Sequence, residues 1–121
     1  DPQDRGCGMS GWIGVDLDGT LARYDGWRGI DHIGEPIPLM VERVKRWLAE
    51  GREVRIFTAR VAVPEPERRL ARGFIVDWCR VHIGVALEVT NVKDFGMIEL
   101  WDDRAVSVGM NTGMRLDGRT E

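Results

Sequence analysis

The chain has 121 residues, 43% of them hydrophobic and 31% charged, and a formal net charge of −3. That is the composition of one folded domain with a single core, not of a disordered chain, and its slight acidity argues against a broad nucleic-acid footprint. No apolar stretch approaches the roughly 20 residues that would span a bilayer.

Residues 1–10, DPQDRGCGMS, hold no hydrophobic core of the signal-peptide kind. They are expected to be a disordered leader or an upstream remnant, with Met9 a candidate natural start. Cys7 lies in this leader and Cys79 in an expected helix, so a disulfide framework is not expected and a reducing, cytoplasmic setting fits. Residues 11–121 are then a single domain.

Trp12 to Leu17 reads as a first buried strand, in which Gly14 suggests close backbone approach. A short flap, residues 21–37, follows. Pro36 and Pro38 introduce a helix over Leu39 to Glu50, with Val41, Val44, Trp47 and Leu48 on one face and Gly51 at its C-terminal cap. Glu53 to Thr58 is a second strand. A helix over Pro66 to His82 carries Leu70, Phe74 and Trp78 at four-residue spacing, while Arg68, Arg69 and Arg72 form a solvated face. Ala86–Val89 and Met97–Trp101 read as further strands, Val106–Val108 as a possible fifth, and Asn111–Glu121 as a polar, loosely ordered end.

Strands alternating with helices predict an α/β fold with a mainly parallel sheet and right-handed crossovers. In such sheets ligands bind beyond the carboxyl ends of the strands. Asp16 and Asp18 leave the first strand there, Thr58 the second, and Asp102 and Asp103 the fourth; Lys93 lies in the loop after the third. Carboxylates gathered at one edge repel one another by about 4 kcal/mol per pair at 4 Å near a protein surface. A hard dication removes that penalty, and an all-oxygen donor set suits Mg²⁺. Side chains two apart on a strand face the same way, so one carboxylate can attack phosphorus while the other transfers the proton. Gly19 lets the backbone turn close to a phosphate, Thr20 offers a hydroxyl or an N–H, and Thr58 and Lys93 can hold phosphoryl oxygens.

In this order the motifs Val15-Asp16-Leu17-Asp18-Gly19-Thr20-Leu21, Thr58, Lys93 and Asp102-Asp103 resemble those of the haloacid dehalogenase superfamily of aspartyl-phosphate phosphatases. The resemblance spans residues 12–108. It implies a Rossmann-like three-layer sandwich and Mg²⁺-dependent hydrolysis of a phosphomonoester. Asp16 would be the nucleophile and a metal ligand. Asp18 would be the general acid/base and would bind the metal through its backbone carbonyl. Thr58 and Lys93 would steady the phosphoryl group, and Asp102 and Asp103 would complete the metal site.

Many members of that superfamily carry a cap domain, and this chain has no room for one. Substrate selection falls to the flap or to a second subunit of a homo-oligomer. An open site suits a phosphate on a small molecule, a polynucleotide end or a protein. In the flap, Tyr24 and Trp27 are expected to anchor the loop, with stacking on a base as the alternative, and His32 is expected to be an ordinary loop residue. Arg60 either binds substrate phosphate or pairs with a carboxylate. Phosphoacceptor receiver modules use similar groups, but with the acidic pair first and the Lys last. A non-catalytic phosphate-binding or phosphoacceptor module of the same fold is the other reading. No G-x-x-x-x-G-K-[ST] run points to a nucleoside triphosphate kinase.

Overall fold

The computed structural model describes residues 11–119. The expectations for the leader, for Cys7 and for Met9 lie outside the described residues. The elements run in the order β1 (Trp12–Val15), α1 (Pro38–Ala49), β2 (Glu53–Phe57), α2 (Glu67–His82), β3 (Glu88–Thr90) and β4 (Met97–Trp101). The fold is α/β, and its four strands form one all-parallel sheet in the order β3-β2-β1-β4. Val106–Val108 does not join it. Val108 instead makes an isolated bridge to Arg115 in a terminal turn.

Register explains where the core sits. Ile13 pairs with Val54, Val15 with Ile56 and with Trp101, and Ile56 with Val89. Partners in register present their side chains to the same side of the sheet. Ile13, Val15, Val54, Ile56 and Val89 share one buried cluster with Val41, Val44 and Trp47 of α1 and with Ala71, Ile75 and Cys79 of α2, and Trp101 packs against it partly buried. Both helices therefore cover the same face, as two successive right-handed crossovers in one direction require.

Among the described residues no helix covers the other face, so none of them supplies the third layer of the expected sandwich. There Arg55 lies over the Trp12 ring, 4.5 Å from its centroid, and pairs with Glu53, while Asp94 accepts from the Trp12 indole N–H at 2.9 Å. The small size of Gly14 serves this face too. A Cβ there would meet Met97 Cε at 2.8 Å and the Trp12 ring at 3.2 Å, so neighbouring side chains, not backbone, fill the space.

The α2 stripe is rotated from the expected one. Ala71, Ile75, Trp78 and Cys79 are buried, whereas Leu70 and Phe74 face outward with 53% and 37% exposure. Four-residue spacing fits several stripes of one helix, and packing selects the one with the small Ala71 and the unbranched Cys79 against the sheet. Burial pushes the Cys79 thiol up to about 12, so it sits in the core as a neutral apolar group. Among the described residues no helix is long and apolar enough to cross a membrane.

The flap is tied at its base. Ala22 bridges Pro36 in antiparallel fashion, Ile37 N–H donates to Leu21 O at 2.8 Å, and Arg23 N–H donates to Glu35 O at 2.8 Å. Residues 24–34 thus form a closed loop at the carboxyl edge of the sheet. Trp78 of α2 reaches it, donating its indole N–H to Gly34 O at 3.0 Å.

Candidate active site

β1 runs out into its acidic pair without losing register, because Asp16 N–H donates to Trp101 O at 2.9 Å. The chain then folds tightly: Leu17 O accepts from Leu21 and Ala22, and Gly19 N–H donates to Ala22 O. Gly19 has φ +91, a conformation L side chains rarely adopt, and a Cβ there would sit 2.8 Å from an Asp103 carboxylate oxygen. The turn after β1 thereby presses against the turn after β4. Thr20 joins them. Its hydroxyl donates to Asp103 Oδ1 at 3.0 Å, accepts from the Asp103 N–H at 2.9 Å, and stands 3.5 Å from Asp16 Oδ2.

Asp16, Asp102 and Asp103 each offer a carboxylate oxygen within 4.8 Å of the others. At that separation each like-charged pair is repulsive by about 3 kcal/mol at an effective dielectric of 20. The strain appears at Asp16, which is half-buried. Burial first, then the neighbouring charge of Asp102 and the contacts with Asp103, push its carboxyl up to about 7. Three hard oxygen donors gathered against their own repulsion fit a Mg²⁺-sized dication. Among the described residues no main-chain N–H outside the helices and strands donates to the Asp18 main-chain carbonyl.

The Asp18 side chain is used differently. Arg60 grips it with a side-on fork, Nε to Oδ2 at 2.8 Å and Nη2 to Oδ1 at 2.9 Å. The same guanidinium donates to His32 O at 2.9 Å and to Ile30 O at 3.4 Å, and lies 4.8 Å from the centroid of the Trp27 ring. Of the two roles open to Arg60 in sequence, pairing with a carboxylate is the one seen. The pair is largely enclosed, with 6% exposure at Arg60 and 21% at Asp18.

Thr58 is buried where β2 ends, and its Oγ1 accepts the Arg60 N–H at 3.1 Å. That leaves the hydroxyl proton free to donate. A cleft of about 780 Å³ is lined by Asp16, Asp18, Gly19, Thr58, Arg60, Asp102 and Asp103, with Tyr24, Trp27, Ile30, Phe57, Ala59, Val63, Glu67 and Arg104 completing its walls. A smaller polar cleft of about 220 Å³ opens on the flap side of Asp18 and Arg60, where Arg23, Arg28 and His32 line it.

Seven of the expected site residues thus share one cleft, and Thr20 braces two of them. Lys93 is the exception. It is exposed in the loop after β3 and is not among the residues that line the cleft. The basic residue that does line it besides Arg60 is Arg104, whose main-chain N–H donates to Asp102 Oδ1 at 2.8 Å. Sequence reasoning passed over Arg104; a basic residue directly after an acidic pair was the available signal. Tyr24 and Trp27 are 48% and 60% exposed, so neither is packed into the core, and Trp27 rests against the Arg60 guanidinium.

Neither a protein-family model nor a curated protein matches this chain. A solved structure, that of a conserved protein coded by a locus from Bacteroides thetaiotaomicron, superimposes with a TM-score of 0.57. Its sequence is 24% identical, and the match covers 80% of this chain and 78% of that one, a likeness that speaks for a shared α/β fold.

Proposed function

We propose that this chain is a phosphomonoester hydrolase that uses Mg²⁺ and passes through an aspartyl phosphate on Asp16. The observation that carries the reading is the convergence of Asp16, Asp102 and Asp103 to within 4.8 Å at the carboxyl edge of a parallel sheet. Asp18 and the buried Thr58 lie on the same cleft. Asp16, Asp102 and Asp103, with the Asp18 carbonyl, would hold the cation. When bound, it would offset their mutual repulsion and draw charge from the phosphoryl oxygens.

Asp16 attacks phosphorus as the ester P–O bond breaks, and the departing oxygen takes a proton from Asp18. In the second half Asp18, now a carboxylate, takes a proton from water as that water attacks the phosphorus. Phosphate leaves and Asp16 is regenerated. Thr58 donates its free hydroxyl proton to a phosphoryl oxygen, and Arg104 supplies positive charge at the wall of the cleft. Arg60 positions the Asp18 carboxyl through its two bonds to it.

Purified protein with Mg²⁺ is expected to hydrolyse an aryl phosphate, and Asp16→Asn to abolish the reaction. Equal activity in both proteins would overturn the assignment of the nucleophile. The Asp18–Arg60 fork also favours a second reading, a phosphoacceptor module of the same fold, because both Asp18 carboxylate oxygens are already engaged by the guanidinium. In that case acetyl phosphate would leave a stoichiometric, persistent phosphoryl group on Asp16 without turnover.

A further inference from the structure

The cleft extends well beyond the carboxylates. Tyr24, Trp27 and Ile30 from the flap, together with Phe57 and Val63, make an apolar wall beside the acidic cluster. Three of these five side chains are aromatic, and Trp27 is the most exposed of them at 60%. An exposed tryptophan on a loop is ordinarily free to swing, but this one is backed. The Arg60 guanidinium lies over its ring and is itself held by Asp18 and by the Ile30 and His32 carbonyls. Arg60 thus turns the indole into a fixed platform. A fixed planar surface favours stacking of another plane over burial of a flexible chain.

We propose that this wall binds a planar aromatic ring carried by the substrate, so that the substrate is a small aryl or nucleoside phosphomonoester with its ring against Trp27 and its phosphate at Asp16. The proposal rests on the phosphomonoester hydrolase reading and names its substrate class. Size supports a small molecule: a cleft of about 780 Å³ falls within the roughly 300–1,000 Å³ usual for such ligands. It is larger than a phosphate alone would need. Charge is divided along the cleft: Asp16, Asp102 and Asp103 cluster within 4.8 Å of one another, the Asp18 carboxylate is met by Arg60, and Glu67 is the further carboxylate of the lining beside the apolar side chains.

The test compares phenyl phosphate and adenosine 5′-monophosphate with ribose 5-phosphate and glycerol phosphate as substrates of the full chain with Mg²⁺. The ring-bearing esters are expected to show a KM lower by about tenfold or more, the size of one stacking contact. Trp27→Ala should erase that preference and Trp27→Phe, which keeps a plane, should restore part of it. A second measurement needs no turnover: saturation-transfer NMR of adenosine 5′-monophosphate on the Asp16→Asn protein should label the base protons most strongly, and Trp27→Ala should remove that labelling.

If ring-bearing and ringless esters are hydrolysed with equal kcat/KM, the substrate class is wrong while the hydrolase reading stands. A phosphopeptide preferred over all four esters would be equally damaging to it. If no ester is hydrolysed but base labelling depends on Trp27, the hydrolase reading fails and the ring site survives.

Discussion

Arg60→Ala tests the contact that joins the site to the flap. The guanidinium makes two charge-assisted bonds to Asp18, two bonds to flap carbonyls and one stacking contact with Trp27. Removing one partner of a buried ion pair costs about 3–5 kcal/mol, chiefly because the other charge is left without compensation. Asp18 keeps 21% exposure through the cleft, so water can rehydrate the abandoned carboxylate and the expected loss is near the bottom of that range, about 3 kcal/mol. For a domain of this size that lowers Tm by about 10 °C. Asp18→Asn leaves Arg60 buried without its partner and should also destabilise. The double variant removes both charges, so its loss should fall short of the summed single losses by about 2 kcal/mol. Urea unfolding of the four proteins gives the cycle, and hydrogen exchange should show faster exchange over residues 24–33 in Arg60→Ala. A single-variant loss below about 1 kcal/mol, or additive losses, would refute the claim that this pair latches the flap.

Two further outcomes follow from the acidic cluster and its surroundings. Asp16 is held above the ordinary carboxylate range, at about 7, by burial and by Asp102 and Asp103. A raised carboxyl adds stability that is complete below its unfolded pKa near 4 and is lost as pH rises through about 7. Metal-free protein should therefore lose Tm between pH 4 and 7 more steeply than Asp16→Asn does, and Mg²⁺ added at pH 8 should restore it; parallel curves in EDTA would contradict this. Arg104 lines the cleft and Lys93 does not. Arg104→Ala should accordingly raise KM for an aryl phosphate several-fold more than Lys93→Ala, and the reverse order in steady-state kinetics would return phosphoryl binding to Lys93.

Much of the scaffold was legible because it rests on local patterns. The first strand, the proline-led helix ending before Gly51, and the run Met97–Trp101 entering Asp102-Asp103 all rely on spacing and capping that one short window displays. The convergence of Asp16, Asp18, Thr58, Asp102 and Asp103 followed from the rule that parallel strands deliver their following residues to one edge. Trp78 is buried as its apolar face predicts, but Leu70 and Phe74 are not, because they share a spacing with Ala71, Ile75 and Cys79 and only the sheet beneath the helix could choose between them.

By itself, then, the sequence determined an α/β order of elements and an acidic edge, since both follow from periodicity and chain direction. Tertiary structure decided what each polar group does there. Asp16 is crowded by Asp102 and Asp103 across more than eighty residues of chain, Asp18 is forked by Arg60 rather than left free, and Lys93 lies apart while Arg104 takes a place on the wall. Those outcomes depend on distances of a few ångströms between segments far apart in sequence. Charge pairing falls off over just such distances, and only the packed fold sets them.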